Sequence, residues 1–198
     1  MSSLTHNLNK NNANLFLCLA GGGSVLLQDI MCEGCSSYFY GATVAYNRDV
    51  FVDNFGSVDK FVSKTASILM AKKAVENFKE ESKHNIGVGI TATMSYTGQR
   101  EDRLNRFFIT VIGEKTITRE VIFDNTLDRN TQEVVLSSLA QVIINSYFNS
   151  DIYAKQECLD KFTQDISGRI KTKYHPIIRA GLLFYSKEGW FISGDKCE

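Results

Sequence analysis

The sequence predicts an α/β fold, a three-layer α/β/α sandwich, on three observations. Segments typical of strands and of amphipathic helices alternate along residues 15–149. The first apolar segment runs into three consecutive glycines and then into a helix-like segment. The chain of 198 residues is long enough to bury a substantial core in one domain. We therefore expect a single sheet that is covered by helices on both faces.

The first predicted strand is the apolar run of residues 15–20, which leads directly into Gly21, Gly22 and Gly23. Glycines lack a Cβ, so this turn can adopt positive φ and let another group approach closely. Ser24 is the expected N-cap of the helix that follows, over residues 25–32. A strand, a glycine turn and a helix start together present N–H groups to an anion. A tight turn without a ligand is an equally good interpretation of the same pattern.

The middle of the chain alternates in the same way. A strand rich in aromatic and β-branched residues is predicted for residues 38–46, and the polar residues 47–49 end it. A helix is predicted for residues 64–83, with Ser63 as its N-cap. Its core-facing stripe recurs every four residues, at Ala66, Met70, Ala74 and Phe78. The next strand covers residues 86–94, where two glycines permit close packing or close approach of a ligand.

Residues 95–105 are polar and are expected to form an exposed loop. Two strands, at residues 107–112 and 116–123, then flank a Gly-Glu-Lys turn and predict a hairpin. A long helix follows, from about Asp128 to Phe148. Its buried side is predicted at Val135, Leu139, Val142 and Ile143.

The two ends of the chain are predicted to lie outside this domain. Residues 1–14 are rich in Asn and Ser and are expected to be a flexible tail. Residues 150–198 are expected to be a short α+β appendage, a helix followed by a hairpin. The predicted organisation is thus a tail over residues 1–14, a domain over residues 15–149 and an appendage over residues 150–198.

Composition excludes several classes of function. Lys plus Arg and Asp plus Glu number 22 each, so a broad basic surface for nucleic acid is not expected. No apolar run approaches the ~20 residues that span a bilayer, so no membrane segment is predicted. Five cysteines and scattered histidines favour a reduced, cytoplasmic protein with no metal and no cofactor. Cys32 and Cys35 form a Cys-x-x-Cys pair whose role the sequence leaves open.

From Ala20 to about Asn149 the chain resembles the carboxy-terminal domain of competence-damage-inducible protein A (CinA), the nicotinamide mononucleotide deamidase family. The order and spacing of several short motifs carry the resemblance: Gly22-Gly23, Gly34-Cys35-Ser36 with Phe39, Val44-Ala45-Tyr46, Val62-Ser63, Thr91 and Asp128-Arg129. It looks closest to a divergent branch with a triple-glycine turn and a Gly-Val-Gly-x-Thr-Ala strand, here residues 87–92. Members of that branch can precede a nucleotidyltransferase-like domain, and a separate transferase is a conceivable partner. The resemblance also implies a homodimer, and the apolar run Tyr38-Phe39-Tyr40 supports that expectation.

The resemblance implies hydrolysis of a carboxamide, but the positions that match the family's catalytic residues are changed. The family's serine nucleophile falls on Leu19, and the lysine that helps to activate it falls on Phe51. Neither side chain can act as a nucleophile or a base. Cys18 and Ser24 are conceivable substitute nucleophiles beside the turn. We therefore predict a catalytically impaired CinA-like domain, with an active amidohydrolase that uses other residues as the alternative.

The phosphate-binding half of the family site is expected to persist. The predicted ligand is a pyridine nucleotide or another phosphate-bearing small molecule, bound by the N–H groups of the glycine turn and by nearby hydroxyl and guanidinium donors. The predicted binding residues are Gly21, Gly22, Gly23, Ser24, Tyr46, Arg48, Thr91, Thr93 and Arg129, with Arg103 and Arg106 as further candidate donors. For each arginine, a solvated surface charge is the alternative interpretation.

Overall fold

The computed structural model describes residues 3–32, 34–79, 84–98, 103–123 and 127–148. They form a five-stranded mixed sheet with the strand order β2-β1-β3-β4-β5. The strands are β1 (Ala13–Ala20), β2 (Phe39–Val44), β3 (His84–Thr93), β4 (Arg106–Ile112) and β5 (Thr116–Ile122). The helices are α1 (Ser3–Lys10), α2 (Ser24–Ile30), α3 (Arg48–Phe55), α4 (Lys64–Val75) and α5 (Arg129–Phe148), with a 3₁₀ turn at Cys35–Ser37.

The central strand β1 runs parallel to both of its neighbours, β2 and β3. Strands β3, β4 and β5 are antiparallel to one another, and β4 and β5 form the predicted hairpin. The prediction that residues 15–19 form an internal strand is therefore confirmed. Because helices cover both faces of the sheet, the side chains of β1 alternate between two buried faces instead of between core and solvent.

Alternate residues of β1 feed two separate apolar cores. Leu15, Leu17 and Leu19 lie in the first core, together with buried side chains of α1, α2 and α5. Phe16 and Cys18 lie in the second core, with α3 and α4. The sheet thus has α1, α2 and α5 on one face and α3 and α4 on the other. The predicted three-layer α/β/α sandwich is confirmed.

The glycines of β3 serve close packing of α4 on the sheet. A Cβ at Gly89 would lie 2.2 Å from the Ser67 carbonyl oxygen, and one at Gly87 would lie 2.5 Å from that of Ala71. Ser67 adds a hydrogen bond at 2.8 Å between its hydroxyl and that of Thr110. Helix α4 therefore lies closer to the strand than side chains would permit. Of the two uses considered for these glycines, the structure has packing.

The predicted start of α4 is confirmed, and its predicted end is wrong. The Ser63 hydroxyl accepts a hydrogen bond from the Ala66 N–H at 3.1 Å, which makes Ser63 the N-cap. The helix ends at Val75, whereas the sequence predicts it through residue 83, and residues 80–83 lie outside the described part of the chain. Phe78 lies beyond the helix end but still packs against the second core. Phe78 thus fits the helical spacing, and this is why the sequence pattern predicts a helix that is longer than the one observed.

The prediction of a flexible tail over residues 1–14 is wrong for the described residues 3–14. Helix α1 occupies Ser3–Lys10, and Leu4 and Leu8 are fully buried in the first core. Two leucines four residues apart are enough to dock one short helix face, although the polar residues around them hide that face in the composition. The Asn7 side chain also donates to the Asn145 side chain oxygen of α5 at 3.0 Å.

Helix α3 is missing from the sequence-based assignment, which treats residues 47–49 only as the polar end of a strand. Asn47 is in fact the N-cap, because its side-chain oxygen accepts a hydrogen bond from the Asp49 N–H at 2.8 Å. Phe51 and Phe55 follow four residues apart and are both buried in the second core. The appendage predicted for residues 150–198 lies outside the described residues.

Candidate functional site

The candidate site lies at the carboxyl ends of β1, β2 and β3. The chain leaves β1 toward α2 on one face of the sheet, and it leaves β2 toward α3 on the other face. In open α/β folds such a divergence leaves a crevice at the edge of the sheet, which is the usual ligand position. The glycine turn follows β1, and Tyr46 follows β2, so both lie at this crevice.

The glycine turn packs tightly against the end of β3. Gly21 has φ +78°, and a Cβ there would lie 2.0 Å from the Ala92 carbonyl oxygen. Gly23 has φ +103° and is the N-cap of α2. The prediction that the turn lies at a helix start is confirmed, but Ser24 is the first residue of the helix and not its cap. The N-cap position is Gly23, where the backbone is left-handed and therefore favours glycine over residues with a side chain.

Glu133 of α5 occupies two of the N–H groups that were predicted to bind a phosphate, those of Gly23 and Ser24. Its Oε2 atom accepts hydrogen bonds from the Gly23 N–H at 2.9 Å and from the Ser24 N–H at 3.1 Å. Glu133 is buried. An internal carboxylate thus stands where an anionic ligand was expected. Sequence reasoning missed this residue, although an acidic side chain on the apolar side of a helix is a usable signal of a buried partner.

Arg129 reaches the same turn from the start of α5. Its Nη2 atom donates to the Gly21 carbonyl oxygen at 3.2 Å and lies 3.4 Å from the Tyr46 hydroxyl. The same atom lies 4.0 Å from Oε1 of Glu133, one helical turn away. The structure therefore brings together five predicted residues around the carboxylate of Glu133: Gly21, Gly23, Ser24, Tyr46 and Arg129. Arg129 and Tyr46 remain partly exposed at the mouth of the crevice.

Three other predicted residues make their contacts elsewhere. The Thr91 side chain is buried, and its hydroxyl donates to the Phe61 carbonyl oxygen. The Arg48 guanidinium lies over the Phe61 ring, 5.6 Å from its centroid. The Thr93 hydroxyl accepts a hydrogen bond from Nε of Arg103 at 3.0 Å. These contacts hold neighbouring segments of the chain together, and they do not involve Arg129 or Glu133.

The loop after β3 is fixed to α5 by a buried polar network, which corrects the expectation of a wholly exposed loop. The Gln132 side chain is fully buried; it accepts from the Ser95 N–H at 2.8 Å and donates to the Ser95 hydroxyl at 2.9 Å. Asn105, also buried, donates to the same hydroxyl at 3.0 Å. Arg106, a further candidate donor, forms an ion pair with Glu120 at 2.8 Å. The network positions the start of α5 and hence Arg129 and Glu133.

The two positions that match the family's catalytic pair are both buried and lie in different cores. Leu19 is 2% exposed in the first core, and Phe51 is 2% exposed in the second. The ring of Phe51 makes edge contacts with Phe55 and Phe61 at 5.0 Å. Both side chains are therefore parts of the packing on opposite faces of the sheet.

The substitute nucleophiles differ sharply in their surroundings. Cys18 is fully buried on the face of the sheet opposite Leu19, and burial raises the pKa of its thiol to about 12. A thiol with that pKa is almost entirely protonated at neutral pH and is a poor nucleophile. Ser24 is exposed at the start of α2. Among the described residues, no three His, Cys, Asp or Glu side chains are grouped so that they could hold a metal ion.

Comparison with known proteins gives structural matches only. No protein-family model matches the sequence, and no curated protein does either. Within the described ranges, no helix has the length and apolarity to cross a bilayer.

Several solved structures share the fold at low identity. A CinA superfamily protein from Klebsiella pneumoniae 700603 matches with a TM-score of 0.60 and 11% identity, over 73% of this chain and 92% of that chain. The competence/damage-inducible protein CihA from Agrobacterium tumefaciens matches with a TM-score of 0.57 and 13% identity, over 73% and 88%. A CinA superfamily protein from Escherichia coli matches with a TM-score of 0.54 and 17% identity, over 74% and 85%. At these identities the matches establish a common fold.

Proposed function

We propose that this chain, which has the fold of CinA superfamily proteins, is a CinA-type binding or scaffold domain that does not hydrolyse carboxamides. The proposal rests on side chains and not on the fold, because one fold supports many functions. The resemblance in sequence implies nicotinamide mononucleotide as the family's substrate. It also identifies Leu19 and Phe51 as the positions of the family's serine and lysine.

The observation that carries this proposal is the burial of Leu19 and Phe51. Acyl transfer needs a nucleophile and a base within hydrogen-bond reach of each other. Leu19 packs in the first core and Phe51 in the second, each 2% exposed. Both side chains are packed into apolar cores on opposite faces of the sheet, so neither presents a reactive group to a substrate. Loss of such a pair typically lowers turnover by several orders of magnitude.

The ligand class that we propose is a phosphate-bearing small molecule such as a pyridine nucleotide. Arg129 and Tyr46 support it, since a guanidinium and a hydroxyl lie 3.4 Å apart at the mouth of the crevice and are partly exposed. Arginine suits a phosphate because its planar fork donates several hydrogen bonds. The N–H groups of Gly23 and Ser24 already donate to Glu133, so the proposed contacts are made by side chains at the crevice mouth.

The first test measures hydrolysis. The purified full chain is incubated with nicotinamide mononucleotide, and ammonia and the acid product are quantified, with a family member that keeps the serine and lysine as positive control. We expect no product above the no-enzyme control. Turnover comparable to that of the positive control would overturn the proposal. If that turnover persisted in Leu19→Ala, it would support the alternative of an amidohydrolase that uses other residues.

The second test measures binding. Thermal unfolding is followed with nicotinamide mononucleotide and with the riboside that lacks the phosphate. We expect stabilisation only by the nucleotide, and we expect Arg129→Gln to abolish it. Arg119→Gln on β5 is the matched control and should bind as the wild type does. Equal stabilisation by the riboside, or an unchanged shift in Arg129→Gln, would contradict the proposed contacts.

Self-association as a homodimer in the cytoplasm completes the proposal. Strand β2 forms one edge of the sheet and exposes Tyr40 and Val44, at 44% and 56%. Tyr38 was part of the predicted apolar surface, but it is buried, so the support now comes from β2. Light scattering at micromolar concentration should give twice the chain mass; the monomer mass would contradict it.

A further inference from the structure

The Cys-x-x-Cys pair lies outside the proposed ligand crevice and has chemistry of its own. Cys32 follows the end of α2, and Cys35 begins the 3₁₀ turn that leads into β2. Both are free thiols; Cys32 is exposed and Cys35 is half-buried. Both are therefore within reach of small reagents, in contrast to Cys18 in the second core.

The backbone holds the two cysteines at a separation that a disulfide can span. The Cys35 N–H donates to the Cys32 carbonyl oxygen at 3.0 Å, which closes a four-residue turn. Such a turn places its first and last Cα atoms within about 7 Å of each other. Disulfides span Cα separations of roughly 4.4 to 6.8 Å. Gly34, with φ +79°, supplies the left-handed backbone that the turn requires.

A buried tyrosine links the pair to the rest of the fold. Tyr38 is 2% exposed; its hydroxyl donates to the Ile30 carbonyl oxygen at 3.2 Å and lies 3.4 Å from Sγ of Cys32. Burial raises the pKa of Tyr38 above its ordinary value, and Cys32 and then Cys35 raise it further. The hydroxyl therefore stays protonated, and either it or the Cys32 thiol can be the donor in the contact between them.

We propose that Cys32 and Cys35 form a reversible dithiol–disulfide pair that reacts with low-molecular-weight disulfides of the glutathione type. Cys32, the more exposed thiol, reacts first: its thiolate attacks one sulfur of the disulfide, and the other sulfur leaves as a thiol. Cys35 then attacks the Cys32 sulfur of the mixed disulfide and releases the second thiol. Two protein thiols lose two electrons and two protons in all, and the reagent disulfide gains both and becomes two thiols.

Oxidation changes the local structure in a defined way. The bridge removes the Cys32 hydrogen, so the sulfur can no longer donate to the Tyr38 hydroxyl that lies 3.4 Å away. It also ties the end of α2 to the 3₁₀ turn before β2. Since α2 carries the N–H groups that bind Glu133, the redox state of the pair acts on the helix that borders the crevice.

The experiment equilibrates the full chain in buffers with graded ratios of oxidised to reduced glutathione, followed by acid quench and alkylation of the remaining thiols. No Lys or Arg separates Cys18 from the pair between Lys10 and Arg48, so chymotrypsin is used instead of trypsin. We expect peptides that contain Cys32 and Cys35 to lose about 2 Da and both thiols to be protected together. Cys18 should remain reduced throughout, because it is buried and its thiol has a pKa of about 12.

Single variants separate the two steps. Cys35→Ser should accumulate a stable glutathione adduct on Cys32, because no second thiol resolves it. Cys32→Ser should form far less adduct. The bridge should be unchanged in a Cys158→Ser/Cys197→Ser variant. Adducts on both cysteines without a bridge, a bridge to Cys158 or Cys197, or no oxidation at any ratio would each overturn the proposal.

Discussion

The Glu133 carboxylate accepts a hydrogen bond from the Gly23 N–H at 2.9 Å, across 110 positions of sequence. Its second contact, with the Ser24 N–H, completes the capping of α2 by a side chain from another helix. The N-cap residue Gly23 has no side chain to do this. Tertiary structure therefore supplies the acceptor that local sequence lacks, and the carboxylate also suits the positive end of the helix dipole.

Replacement of Glu133 by Ala should destabilise the fold. Two N–H groups at the turn then lose a charged acceptor, which costs about 1–3 kcal/mol in free energy of unfolding. Glu76→Ala is the control, because Glu76 is 62% exposed and pairs with Lys73 at the surface. The control should change stability by less than about 1 kcal/mol. Chemical denaturation measures the free energy of unfolding of both variants. Equal losses would show that the Glu133 contacts stabilise the fold no more than a surface ion pair does.

Leu19→Ser should lower stability without restoring hydrolysis. Leu19 is buried in the first core and touches the glycine turn, so a serine leaves a cavity and a buried hydroxyl. We expect a loss of about 3–5 kcal/mol in free energy of unfolding. Leu104→Ser is the matched control, since Leu104 is 47% exposed and should change stability by about 0.5 kcal/mol or less. A stable Leu19→Ser variant that releases ammonia from nicotinamide mononucleotide would refute this account.

The sequence predicts most of the described strands and the long helix α5, because these elements have strong local patterns. The apolar run before the glycines, the hairpin of β4 and β5 and the periodicity of α5 all survive in the structure. Ser63 also caps α4 as its position suggests. Helices α1 and α3 were missed because each is eight residues long and has only two strongly buried apolar residues on one face.

The candidate site is less predictable, because its contacts join distant segments. Arg129 was expected at the glycine turn, and it reaches the Gly21 carbonyl oxygen there. Glu133 was not expected, since its place on the apolar side of α5 signals a buried partner but does not say that the partner is the start of α2. Thr91 was assigned to the ligand from its motif alone, but its hydroxyl is directed to Phe61 on the other face of the sheet. Motifs place a residue along a strand; packing decides its partner.

Phe51→Lys should destabilise the fold more than the introduction of a lysine at an exposed position does. Phe51 is buried in the second core between Phe55 and Phe61, so an ammonium group there loses its hydration without a partner. We expect a loss of about 4 kcal/mol or more in free energy of unfolding, or loss of the folded state. Val50→Lys, at the adjacent and 42% exposed position, is the control and should stay folded. Circular dichroism and denaturation compare them; similar stabilities would contradict the burial of Phe51.

Cys18 should make the fold sensitive to alkaline pH. Burial raises the pKa of its thiol from 9.0 to about 12 in the folded state. The unfolded chain therefore loses this proton first as the pH rises, and stability falls by about 1.4 kcal/mol per pH unit above the unfolded pKa. The contribution is complete below pH 9 and is lost toward pH 12. Cys18→Ala should remove this part of the alkaline slope, and identical slopes in both proteins would show that the thiol titrates normally.

Gly21→Ala should test directly how tightly the turn packs on β3. Gly21 and Gly34 have nearly the same φ, +78° and +79°, so an alanine at either carries a similar left-handed backbone strain of about 1 kcal/mol. Their surroundings differ: a Cβ at Gly21 would lie 2.0 Å from the Ala92 carbonyl oxygen, whereas one at Gly34 would meet no atom of the described residues within 4 Å. The clash is with backbone, which cannot rotate away as a side chain can. We therefore expect Gly34→Ala to cost about 1 kcal/mol and Gly21→Ala about 3 kcal/mol or more in free energy of unfolding. Urea denaturation of the two variants gives the difference, and equal costs would mean that the turn does not pack on Ala92.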